Sequence, residues 1–317
     1  MVLLLFTEEL SVFISSGVLR PMSICAKSLI SWCFILFVTL LASCAQVAPK
    51  SVSTTTEKLA YLRYTNNFWQ VWVTDVKGSF HQQLTFDEVD KSRISWSNTI
   101  GQLLVNSNDG KLSLLNINTK QILPVQLDSL EVFDAQISPD GKQITYTATT
   151  SLQADNAEVW IANLDGSAKK KITNNTTVTL SPSWNPKNDS ILFSAGSPGK
   201  NQELWQVSLD VNQSEQITVS PFSSLDPHAN SKGEILYSSD QTGHYNIWLL
   251  DASQKKRQIT NTKTYDGQPV WNKSGDMFVF FRISNNKKQI WLYHLDSGKQ
   301  TPLTLDTYLS RGAVWID

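Results

Sequence analysis

From Lys58 onward the apolar residues fall into short runs of three to six, separated by polar turns, with no stretch at helical period. The runs recur as a unit. A strand-like segment with Trp at its centre returns as Val71-Trp72-Val73, Val159-Trp160-Ile161, Leu204-Trp205-Gln206, Ile247-Trp248-Leu249 and Ile290-Trp291-Leu292, and Leu112 holds the same slot between Lys111 and Leu115. Successive slots lie 40, 48, 45, 43 and 43 residues apart. Each run ends at a turn residue: Asp75, Asn116, Asp165, Asp210, Asp251 or Asp296. In five units a short strand ending in Thr follows, at Thr85, Thr173, Thr218, Thr260 and Thr304.

Next comes a segment of the form small/Pro-x-Trp: Ile94-Ser95-Trp96, Pro182-Ser183-Trp184, Pro269-Val270-Trp271 and Ala313-Val314-Trp315. Ala135-Gln136-Ile137 and Pro227-His228-Ala229 are weaker copies. A polar turn such as Pro139-Asp140-Gly141 and another apolar strand complete the unit. Four short strands per unit, repeated with a period near 43, predict an all-β six-bladed β-propeller of four-stranded antiparallel blades. The ends predict how it closes. The last unit stops at its innermost strand, Ala313 to Ile316, and the first begins at the strand that should follow one, Lys58 to Leu62. The C-terminal strand is therefore expected to pair in the N-terminal blade.

The best copy of the repeat runs from Pro227 to Trp248, through Ile235-Leu236-Tyr237-Ser238-Ser239-Asp240-Gln241-Thr242-Gly243. It is similar to the TolB-type propeller repeat, and the resemblance covers residues 58–317. It implies an envelope protein whose propeller docks other proteins, such as a peptidoglycan-associated lipoprotein. TolB proteins carry an α/β domain ahead of the propeller. The 13 residues from Ala45 to Glu57 leave no room for one, so the resemblance is to a TolB-like propeller lacking that domain.

Composition alters the picture mainly at the N-terminus. All three cysteines (Cys25, Cys33, Cys44) precede the repeats, which excludes a disulfide scaffold, a cysteine nucleophile or a zinc finger in the folded body. Ser28 to Ser43 is an uncharged apolar run preceded by Lys27, too short for the ~20 residues of a transmembrane helix and ending in small residues. It reads as a signal peptide, with Met22 the more natural start because Glu8 and Glu9 do not suit a positive leader. Leu41-Ala42-Ser43-Cys44 resembles a bacterial lipobox. That resemblance implies cleavage before Cys44 and acylation of its thiol, palmitate included. Ala45, where an aspartate would mark inner-membrane retention, favours the outer membrane. The expected organisation is therefore signal region 1–43, lipidated cysteine with flexible tether 44–57, and propeller 58–317, a lipid-anchored monomer on the periplasmic side of the envelope.

Charge excludes another class. With 27 Lys and Arg against 28 Asp and Glu, the chain lacks the basic surface of a nucleic-acid binder. Candidate chemistry is sparse. His81, His228, His244 and His294 are isolated, so no metal or other cofactor is expected, although Asp226-Pro227-His228 should lie near the central channel. Ala195-Gly196-Ser197-Pro198-Gly199 misses the nucleophile elbow of a hydrolase, and no phosphate-binding glycine loop occurs. Tryptophans repeated in every unit are expected to pack between blades, with Trp69 outside the pattern. Specificity should sit where the repeats differ, in the loops entering the innermost strands: Arg93, Phe133, Asp134, Leu225, Asp226, His228, Tyr265, Asp266, Tyr308 and Arg311. The reading reached is a non-enzymatic protein-docking scaffold. The alternative is a propeller that binds or degrades carbohydrate across its channel.

Overall fold

The computed structural model describes residues 57–127, 131–149, 157–174, 178–197, 199–305 and 307–316. The signal region, Cys44 and most of the tether lie outside them. Twenty-four strands form six four-stranded antiparallel sheets. The first blade contains β1 (Lys58–Thr65), β2 (Phe68–Asp75) and β3 (His81–Gln83), and the second β4 (Lys91–Ser97), β5 (Gln102–Ser107), β6 (Leu112–Asn116) and β7 (Ile122–Val125). The third comprises β8 (Glu131–Ile137), β9 (Gln143–Thr149), β10 (Ala157–Asn163) and β11 (Lys170–Lys171). In the fourth are β12 (Val178–Trp184), β13 (Ser190–Gly196), β14 (Glu203–Ser208) and β15 (Ser214–Gln216). The fifth holds β16 (Ser224–Ala229), β17 (Ile235–Ser239), β18 (Asn246–Leu250) and β19 (Lys256–Gln258), and the sixth β20 (Tyr265–Trp271), β21 (Met277–Ser284), β22 (Lys287–His294) and β23 (Gln300–Pro302). The final strand, β24 (Ser310–Ile316), returns to the first blade and pairs with β1, setting Lys58 opposite Ile316 and Leu59 opposite Trp315. This is the predicted closure.

Strand alternation explains the tryptophan slots. On β2, Val71 and Val73 pack toward the second blade, while Trp72 between them packs back on the sixth. The same division holds on β10, where Val159 and Ile161 face forward and Trp160 faces back, and on β18 and β22. Six apolar clusters result, one in each seam between blades, and a β-strand's period of two supplies both sides of a seam from one short run. The second set of tryptophans also faces back. Trp184, Trp271 and Trp315 are buried, and Trp96 is half-buried.

The recurrent Thr has its own cause. Thr85, Thr173, Thr218, Thr260 and Thr304 each accept a hydrogen bond through Oγ1 from the backbone N–H of the residue just before the strand tryptophan: Val71, Val159, Leu204, Ile247 and Ile290, at 2.9–3.0 Å. The hydroxyl thus satisfies a buried donor where the short outer strand has ended. The turn aspartates cap their own turns in the same spirit, Asp75 Oδ1 accepting from Lys77 and Ser79 N–H.

Candidate binding channel

The six innermost strands, β24, β4, β8, β12, β16 and β20, surround a central channel. Each is bulged. In β12, β16 and β20 the ladder skips Ser181-Pro182, Asp226-Pro227 and Gln268-Pro269. Proline suits the second bulged position because it has no N–H to leave unpaired. The residue before it takes a left-handed conformation in five strands: Asp134, Ser181, Asp226 and Gln268 at φ 50–54°, and Gly312 at φ 61°. This turn of backbone brings the side chains of Asp134, Ser181, Asp226 and Gln268 to the channel wall, Gly312 contributes none, and Arg93 of β4 occupies the matching position.

These side chains join blade to blade. Arg93 Nη1 lies 3.2 Å from Asp134 Oδ1, and the Ser181 N–H donates to Asp134 Oδ2 at 3.1 Å. Ser181 Oγ donates to Asp226 Oδ1 at 2.8 Å, and the Gln268 N–H donates to Asp226 Oδ2 at 3.3 Å. Burial raises the pKa of Asp226, opposed by the nearby Arg93 charge. Two residues further along β16, His228 Nδ1 accepts the Trp271 N–H at 3.3 Å, which places the ring proton of the neutral form on Nε2. Burial, with help from Arg93, lowers the His228 pKa to about 4, so the imidazole is neutral at physiological pH.

From this ring a chamber of about 440 Å³ extends to the hairpins at Asn98, Pro139, Pro186, Ser231 and Lys273. Among the described residues, none of the loops entering the innermost strands lines it. The propeller therefore has two unlike faces: an entry face, where those loops lie, and a hairpin face, where the chamber ends. The chain itself joins the propeller on the hairpin face, because β1 starts beside the end of β24. There Glu57 O accepts the Val76 N–H at 3.2 Å, and its Oε1 accepts from Asn272 at 3.3 Å.

On the entry face, aromatic and cationic side chains stack in an arc over the fifth, sixth and first blades. The Arg63 guanidinium is sandwiched between Tyr308 and Trp72, 3.3 and 4.4 Å from their ring centres, and Arg311 lies 4.4 Å over Trp69. Trp69 meets Tyr64 edge to face, while Tyr265 stacks on Phe281 and contacts Tyr245. Burial, followed by the charge of Arg311, lowers the pKa of Lys288.

Residues 95–316 match the model of the TolB β-propeller domain family, most of the chain and all but the first strands of the ring. The chain belongs to the TolB β-propeller family. No curated protein matches it in sequence. Among solved structures, TolB from Acinetobacter baumannii superposes with a TM-score of 0.71 at 16% identity, over 82% of this chain and 66% of that one. A putative TolB from Agrobacterium tumefaciens gives a TM-score of 0.66 at 16% identity, over 83% of this chain and 99% of the other. An oligogalacturonate lyase in complex with manganese is also similar, at a TM-score of 0.55 and 14% identity, over 77% of this chain and 73% of its own. At such identities the likeness is one of fold alone.

In this TolB-family propeller, the residues expected at the mouth divide into three groups. Arg93, Asp134, Asp226 and His228 converge in the channel wall, where the first three are engaged with one another or with Ser181. Tyr308 and Arg311 belong to the entry-face arc, whereas Phe133 is exposed on β8 and Leu225 half-buried on β16. Tyr265 is half-buried in its stack. Asp266 is at 0% exposure, held by Arg282 Nε and Nη2 at 2.7 and 2.8 Å within its own blade. Its position beside the mouth suggested a docking residue, but the side chain points into the sheet and no partner can reach it. Sequence reasoning missed Ser181 and Gln268, because nothing in a lone Ser or Gln before Pro marks a left-handed bulge. Among the described residues no group of three His, Cys, Asp or Glu side chains could hold a metal ion.

Proposed function

We propose that this TolB-like propeller is a non-enzymatic docking platform of the cell envelope, held on the periplasmic side by a lipid on Cys44 and binding a partner protein through its entry face. The observation that carries this reading is the entry-face arc. Tyr308, Arg311, Trp69 and Tyr64 form preorganised aromatic–cation stacks at an accessible rim, the residue types that anchor protein interfaces. Phe86, Phe133 and Leu305 are also exposed. The carboxylates of Asp134 and Asp226 are tied into the channel ring by Arg93, Ser181 and the Gln268 N–H.

Two experiments test the reading. Cross-linking in intact cells is expected to capture an envelope protein with the native chain and to lose it with the double substitution Tyr308→Ala, Arg311→Ala, while the circular dichroism spectrum is unchanged. Equal capture by the folded double variant would refute docking at this face. For the anchor, Cys44→Ser is expected to move the protein from the membrane to the soluble fraction, and unchanged fractionation would refute lipidation.

A further inference from the structure

The entry-face arc carries a positive charge that the chain itself leaves unbalanced. On the entry side of the sixth blade, Lys263, Arg282, Lys287 and Lys288 stand against a single carboxylate, Asp266, among the described residues, and Arg282 already holds it with two hydrogen bonds. Lys288 continues along β22 the row of Ile290 and Leu292, which pack toward the first blade, so its side chain rises at the mouth end of that seam. Its Nζ lies 6.0 Å from the centre of the Phe281 ring. From the first blade comes Arg311, over Trp69, and Arg63 sits between Tyr308 and Trp72. Burial and then the charge of Arg311 lower the pKa of Lys288, which puts those two cations within electrostatic reach of each other. Among the described residues, none of Arg63, Lys288 and Arg311 has a carboxylate within ion-pair distance. The two acids whose charge reaches Arg311 are engaged elsewhere, Asp134 with Arg93 and Asp90 Oδ1 with the Trp69 N–H at 2.7 Å.

We propose that this cationic arc recognises an acidic segment of a partner protein, whose Asp or Glu carboxylates supply the counter-charges lacking around Arg311 and Lys288. The inference rests on the docking reading and names the chemistry of the partner. Aromatic stacking suits the arc to carboxylates. A guanidinium lying over a ring has its face covered and its edge donors free, the geometry that pairs with a carboxylate through two parallel hydrogen bonds. Trp69, Trp72 and Tyr308 hold Arg311 and Arg63 in place before a partner arrives, which lowers the ordering cost of binding. Arg311 and Lys288 are half-buried, so a carboxylate that reaches them meets a stronger field than at a fully exposed lysine. They stand on different blades, which suits an extended segment with several acids better than one small anion. Another basic tract differs in kind. Lys256 and Arg257 are exposed on the outer edge strand β19, where charge protects an open edge from pairing.

The test is fluorescence anisotropy of labelled peptides on the full chain carrying Cys44→Ser. Hexaglutamate is expected to bind at least about tenfold more tightly than hexaglutamine. Raising the salt from about 50 to about 300 mM should weaken it by about threefold or more, because the charges on both sides are partly exposed. Arg311→Gln is expected to weaken hexaglutamate binding about five- to tenfold and Lys288→Gln about threefold. Arg311→Lys keeps the charge without the planar fork and should recover only part of the loss. The double substitution Lys256→Gln, Arg257→Gln on β19 should bind as the native chain does. Should Arg311→Gln unfold by circular dichroism, Lys288→Gln carries the test. Equal binding of hexaglutamate and hexaglutamine, native affinity in Lys288→Gln and any folded Arg311→Gln, or an equal loss in the β19 variant would overturn the proposal. Tighter binding of inorganic phosphate or of phosphatidylglycerol vesicles than of hexaglutamate would assign the arc to phosphate groups and overturn it too. Loss of the cross-linked envelope protein in Tyr308→Ala, Arg311→Ala alongside equal binding of the two peptides would leave docking standing and remove only its acidic partner. Selective hexaglutamate binding with equal capture by that double variant would refute docking in cells and uphold carboxylate recognition.

Discussion

Replacing Thr218 by Val isolates the threonine device with almost no change of shape. In the native chain, Thr218 Oγ1 accepts the Leu204 N–H at 2.9 Å and donates to Glu203 Oε2 at 2.5 Å, and all three residues are buried. Valine leaves the N–H of Leu204 unsatisfied, at a cost of ~1–3 kcal/mol. It also removes one donor from a buried carboxylate, which keeps the Ser220 N–H at 2.5 Å. A hydrogen bond to a charged group contributes ~1.5–3 kcal/mol, and the added methyl offsets part of that loss. The expected net destabilisation is about 2–4 kcal/mol. In urea, with a slope of ~2–3 kcal/mol/M, that lowers the unfolding midpoint by about 1 M. Thr218→Ser keeps both bonds and should stay within ~1 kcal/mol of native. The second blade supplies an internal control, because exposed Gln126 stands where the other units have Thr, and Gln126→Val should change stability by less than ~0.5 kcal/mol. A Thr218→Val midpoint within ~0.2 M of native would refute the idea that these hydroxyls hold the outer strands.

Other outcomes follow from the same geometry. Gly166 has φ +86°, and a Cβ there would lie 1.8 Å from Gln126 O in the neighbouring blade, so Gly166→Ala should destabilise by more than ~2 kcal/mol in the same assay. On acidification the unfolded chain protonates His228 near its ordinary pKa of 6.5, whereas the folded chain resists until about 4. Stability from this residue is therefore present above pH ~6.5 and lost as the pH falls toward 4, by up to about 3 kcal/mol, and His228→Asn should flatten that slope in midpoint-versus-pH curves. Trp315→Ala removes a buried ring from the seam between the first and sixth blades and its bond to Val270 O, for which thermal unfolding should report a loss of ~3–5 kcal/mol.

The blade count, the strand order and the closure were legible because each depends on period-two burial, which a Trp flanked by β-branched residues signals strongly. The Thr positions were visible as a pattern, but their purpose was not. A hydroxyl that accepts from a backbone N–H 13 or 14 residues earlier needs the strand register to be seen. The candidate site was harder still. Asp226, His228 and Arg93 were placed near the channel from their position in the repeat, and they are there. The bulge that turns Asp134, Ser181 and Gln268 inward was hidden, since left-handed backbone at a non-glycine residue leaves no compositional trace. Asp266 shows the opposite failure. One residue along a strand reverses the facing of a side chain, and proximity in sequence to the mouth did not reveal its pairing with Arg282.

The strand exchange that completes the first blade also sets a timetable. β1 to β3 emerge first from the ribosome, yet the strand that shields β1 is the last to be made, more than 240 residues later. The seam between the first and sixth blades cannot form until that strand arrives, so the ring locks only when the whole chain is present. Contacts this distant slow folding. The seven-residue strand β24 is therefore the latch of the ring, and any chain that has not yet delivered it keeps β1 as an open edge.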